Sequence, residues 1–78
     1  MKPFEAYQLF KKRFPVGSCY KGRPIHDYAK YHVVGYHDTE EIVVVKFYRP
    51  NKQYWGYAIL DAVEIAVRGP TSFQKVRK

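Results

Sequence analysis

The sequence predicts a mostly β, α+β domain: about five short strands bent into a small antiparallel barrel, with one helix ahead of them. Three observations carry this prediction. Residues 41–60 are rich in β-branched and aromatic side chains on either side of a strong turn, the composition of a hairpin. Residues 3–14 instead place apolar side chains three and four apart, the period of a helix face. A length of 78 residues fits one small domain. Aromatic residues make up 18% of the chain, and each buried ring removes a large apolar area from water, so a core can form without staples.

The elements follow in order. Pro3 suits a first helical turn, and Phe4, Tyr7, Phe10 and Phe14 form the apolar face. Glu5 near the start and Lys11, Lys12 and Arg13 near the end complement the helix dipole, and Pro15 ends the helix. A first strand over residues 16–23 is entered and left through Gly17 and Gly22. Residues 24–29 read as a loop, 30–36 as a strand and 37–40 as a turn. The clearest strand covers residues 41–48, with Val43, Val45 and Phe47 as its core set. Arg49-Pro50-Asn51-Lys52 is a reverse turn, since proline presets its first central position. Residues 53–60 return as the next strand, where Gly56 marks a bulge, bend or close approach. Residues 60–62 read as a tight turn and residues 63–67 as a short last strand. Gly69-Pro70 closes a domain over residues 1–70, and residues 71–78 read as a mobile basic tail.

The run Tyr54-Trp55-Gly56-Tyr57-Ala58-Ile59-Leu60-Asp61-Ala62-Val63-Glu64 resembles the end of SH3-like barrels, where a strand passes through a one-turn helix into a short final strand. The resemblance spans residues 16–67 and implies a closed, strongly bent sheet. As a small basic chain, the protein is also similar to small phage and plasmid proteins.

Charge narrows the function classes. A net charge of +7 favours polyanions: nucleic acid first, an anionic membrane second and an acidic protein third. No run is long and apolar enough to span a membrane, and Met1-Lys2-Pro3-Phe4-Glu5 does not open a signal peptide. Cys19 is the sole cysteine, whereas secreted domains of this size are usually rich in disulfides, so the expected location is cytoplasmic. His26, His32, His37 and Cys19 lack the close pairing of zinc sites, and strand alternation separates His32 from His37, so no metal or other cofactor is expected. Cys19 has no local nucleophile signature, and the acidic residues form no acid–base pair, so the expected protein is not an enzyme.

The remaining candidate is the hairpin. Exposed strand aromatics can stack on bases while nearby cations follow the phosphates. The expected nucleic-acid-binding residues are Lys46, Tyr48, Arg49, Lys52 and Tyr54, joined by Lys75, Arg77 and Lys78 of the tail. Alternation puts Trp55 and Tyr57 on the face opposite Tyr54 and assigns both to the core. The expected activity is sequence-tolerant binding of DNA or RNA, because no recognition helix is evident. The alternative is a phage- or plasmid-encoded protein-interaction module, such as an anti-CRISPR-like inhibitor of a host defence complex. A third reading is a homo-oligomer joined through edge strands or the aromatic face.

Overall fold

The computed structural model describes residues 1–21, 30–49 and 53–76. Helix α1 (Pro3–Arg13) is followed by strands β1 (Cys19–Lys21), β2 (Lys30–His37), β3 (Ile42–Arg49) and β4 (Tyr54–Asp61), then helix α2 (Ala62–Arg68) and strand β5 (Lys75–Val76). The strands form one antiparallel sheet in the order β4-β3-β2-β1-β5. The closed barrel is therefore not what forms. β4 and β5 are the two edges, and no ladder joins them among the described residues. The expected loop over residues 24–29 lies outside the described residues, as does the 49–52 turn beyond Arg49.

The core lies on one face of this sheet. Tyr7 and Phe10 of α1, with Phe14 just after it, are buried against Tyr20, Val33, Val43, Val45 and Leu60 of the strands. Ala6 takes the inward position expected of Phe4, which is exposed. Phe10 holds the centre, with ring centroids 4.7 Å from Phe14, 5.8 Å from Tyr20 and 5.0 Å from Phe73. Burying a ring of this kind stabilises by roughly 1.5–3 kcal/mol.

The expected last strand over residues 63–67 is a helix instead. Asp61 caps it, its carboxylate accepting the Glu64 N–H at 2.8 Å. Ala62 and Ile65, three residues apart, turn inward. Gly69 ends the helix at a φ of 87°, donating its N–H to the Ile65 carbonyl. The expected tail is also part of the fold as far as residue 76. Phe73 is buried in the aromatic core, and β5 pairs with β1 through Val76–Cys19 and Lys75–Tyr20. Arg13 donates to the Pro70 and Phe73 carbonyls, which fastens this segment to α1.

The pairing irregularity falls in β2, not at Gly56, which pairs in register with Phe47. Val33 faces Val45 while Gly35 faces Val44, so one extra residue, Val34, is inserted. This bulge keeps Tyr36 on the core side, three residues after Val33. It also puts His32 (opposite Lys46) and His37 (opposite Ile42) on the same face, against the separation expected from simple alternation.

A polar latch holds α1 to the β2–β3 turn. The Tyr7 hydroxyl donates to Asp38 at 2.6 Å, and the Lys11 ammonium bonds both Asp38 oxygens at 2.9 and 3.0 Å. Tyr36 donates its hydroxyl to the Phe14 carbonyl at the helix end. Burial first of all pushes the Tyr7 and Tyr36 hydroxyls upward, so both remain protonated donors at neutral pH. The hydrogen bond from Tyr7, then that from Lys11, holds the Asp38 carboxyl below the usual carboxylate range.

A carboxyl whose pKa is depressed on folding contributes stability that is present above its unfolded pKa, about 3.9, and is lost as pH falls through the folded value. Asp38→Asn should therefore reduce the loss of thermal stability on acidification below about pH 4. An unchanged acid slope would show that the latch contributes nothing. A Cβ at Gly69 would meet nothing within 4 Å, so Gly69→Ala isolates the backbone cost. We expect a loss of about 1–2 kcal/mol, read as a lower Tm by roughly 4–8 °C per kcal/mol. An unchanged Tm would contradict the capping role.

Candidate nucleic-acid interface

Both helices contribute to the core on one side of the sheet. The residues on the other side follow from register. In an antiparallel ladder, directly opposed residues share a face, and the face alternates along each strand. One row across the other face, helix-free among the described residues, therefore runs Val76, Cys19, His32, Lys46 and Tyr57 from β5 to β4. Next to it, the opposed pairs Lys21–Lys30 and Tyr48–Trp55 occupy the same face. Three lysines and four ring-bearing residues thus share one end of one face.

The rings are held rather than scattered. His32 and Tyr48 meet Trp55 edge to face, with centroids 5.6 and 5.5 Å away. The Lys46 ammonium lies over the Trp55 ring at 5.1 Å, a cation–π contact. On the far side of His32, its Nδ1 lies 3.0 Å from the buried Cys19 sulfur. Trp55 is 46% exposed and Tyr57 67%, so the expected core role of both is overturned.

The reason lies in the neighbouring elements. β3 turns Val43, Val45 and Phe47 to the helices, and their partners in β4 are Leu60, Ala58 and Gly56. Asp61 must keep its carboxylate free to cap α2, which fixes Ile59, Tyr57 and Trp55 on its own, outward parity.

The register divides the expected binding residues. Lys46 and Tyr48 lie on the helix-free face with Trp55. Tyr54 has the opposite parity and faces Arg49, whose side chain is outside the described residues. Lys75 lies on the helix side, where its ammonium donates to the Arg13 carbonyl at 3.0 Å and complements the end of α1. Lys52, Arg77 and Lys78 lie outside the described residues. Lys21, Lys30, His32, Trp55 and Tyr57 were not expected at the site. Only the pairing of β1 with β2, across the eight intervening residues, brings the two lysines together, and spacing alone does not reveal it.

Among the described residues the electrostatics of this end are one-sided. Lys21 and Lys30 are directly opposed and exposed, an arrangement that repels in the free protein. Neither is paired with a carboxylate among the described residues. Asp38, Glu40, Glu41 and Asp61 sit at the other end of the sheet, around the β2–β3 turn and the end of β4. There Glu40 pairs with His37 and Asp38 with Lys11. Among the described residues no three His, Cys, Asp or Glu side chains gather as a metal site would require. A cavity of about 180 Å³ under α2, lined by Tyr20, Tyr31, Ala58 and Arg68 among others, lies on the opposite side of the sheet. Among the described residues no helix is long and apolar enough to cross a membrane.

No family model, curated protein or solved structure matches the chain.

Proposed function

We propose that the protein binds nucleic acid, without catalysis and with little sequence preference, through the helix-free face of its sheet. The observation that carries this reading is the meeting of Lys21, Lys30 and Lys46 with Tyr48, Trp55 and Tyr57 on that face, while Asp38, Glu40, Glu41 and Asp61 lie at the far end of the sheet. Phosphates neutralise the lysines, and binding relieves the Lys21–Lys30 repulsion that the free protein carries. The rings offer π surfaces, which every base can use, so little sequence preference follows. A cytoplasmic setting suits this activity and the unpaired thiol.

A second reading, a protein-docking module of the phage-inhibitor type, draws on Ile59, Val63 and Val67, which are exposed around the β4–α2 junction. Val63→Lys with Val67→Lys separates the two readings, because it leaves the lysine–aromatic end untouched.

The test is fluorescence anisotropy with labelled DNA and RNA 15-mers over a salt series. Three neutralised phosphates give a slope of log K against log salt of about −2 to −3. Absence of binding to either polymer at low salt would overturn the proposal. Lys30→Gln should flatten the slope by about 1 and, by removing the like-charge pair, slightly raise Tm at low salt. A lower Tm with an unchanged slope would contradict the role given to this lysine pair.

A further inference from the structure

Resting on the nucleic-acid reading, we infer that the bound polymer is single-stranded, with bases stacked on Tyr57 and Trp55 and the backbone passing towards Lys30 and Lys21.

Shape is the first ground. Neighbouring strands lie about 4.8 Å apart, so five of them span roughly 19 Å. The major groove of B-DNA is about 12 Å wide and admits a helix or a two-stranded ribbon. This face cannot enter it. On a duplex it could meet phosphates alone, which would leave its rings without a role.

The rings supply the second ground. Tyr57 is the most exposed aromatic residue of the cluster and makes no ring contact among the described residues. Trp55 is already oriented by His32, Tyr48 and Lys46, so little side-chain freedom is lost when a base arrives. Both rings need unstacked bases, and a duplex yields these only at a cost of a few kcal/mol per base.

Charge placement sets the direction. Tyr57 and Trp55 lie on the edge strand β4, and Lys21 and Lys30 lie on β1 and β2. Two strand spacings, about 10 Å, separate the ring column from Lys30. Lys46 lies between them on β3, within reach of the phosphate joining two stacked bases. The polymer therefore crosses the strands and stays away from the acidic end of the sheet.

Trp55 is the only tryptophan, so it reports on its own site. The experiment titrates the full chain with a 15-nucleotide oligothymidine and with a 15-base-pair duplex, following anisotropy of the labelled polymer and Trp55 emission. We expect the single strand to bind at least tenfold more tightly and to quench Trp55. Tyr57→Ala should weaken single-strand binding about 5- to 150-fold, as expected for one lost stacked base. Tyr57→Phe should retain binding, because it keeps the ring. Both variants leave the core intact, since Tyr57 is solvent-facing. Duplex binding as tight as single-strand binding, or single-strand binding that leaves Trp55 emission unchanged, would overturn this inference and leave the broader nucleic-acid reading standing. Absence of binding to both polymers would overturn both.

Discussion

The structure depends on the aromatic contact centred on Phe10. Its ring joins α1 to Tyr20 of β1 and to Phe73 near the C-terminus, and Phe14 extends the same cluster. The contact brings distant parts of a short chain together. It consumes one face of the sheet and draws residues 70–76 back along β1. On the other side Tyr48, Trp55 and Tyr57 are exposed, and the rings there serve neither helix.

That asymmetry is the basis of the functional reading. Stability resides on the helix side, in Phe10, Phe14, Tyr20 and Ile65, and in the latch from Tyr7 and Lys11 to Asp38. The other side carries features that contribute little to stability: two opposed lysines and a row of half-exposed rings. Local arrangements that oppose stability are expected where a protein meets a ligand. The same division explains why Lys75 left the candidate set. Its ammonium is engaged at the end of α1 and supports the fold.

Much of this was legible in the sequence. The helix stripe, the strand over residues 41–48 and its return over 53–60 follow from periodicity, and the placement of Lys46 with Tyr48 follows from alternation. Trp55 and Tyr57 were misplaced because both parities of β4 are apolar, and the bulkier set looks like the core. Asp61 is the residue that decides the matter. Read as an N-cap followed three residues later by Glu64, it predicts a helix from Ala62 and requires an outward-facing position. Ile59, Tyr57 and Trp55 must then face outward with it. Reading residues 63–67 as a strand lost both conclusions together. The β2 bulge is a different case. Gly35 is a local signal for it, of the same kind as Gly56, but a glycine alone does not tell a bulge from an in-register position; the demand that Tyr36 reach the helix side decides it, and that demand exists only in the folded chain. The pairing of Lys21 with Lys30 is likewise a property of topology.

The single tryptophan, Trp55, stands half-exposed on the sheet face beside the Lys46 ammonium. Collisional quenching of Trp55 in the free protein by iodide and by caesium ions tests this placement most directly. An exposed ring among Lys46, Lys30 and Lys21 should be quenched readily by the anion and much less by the cation, and added salt should narrow the difference. A blue-shifted emission insensitive to both ions would place Trp55 in the core and contradict the account.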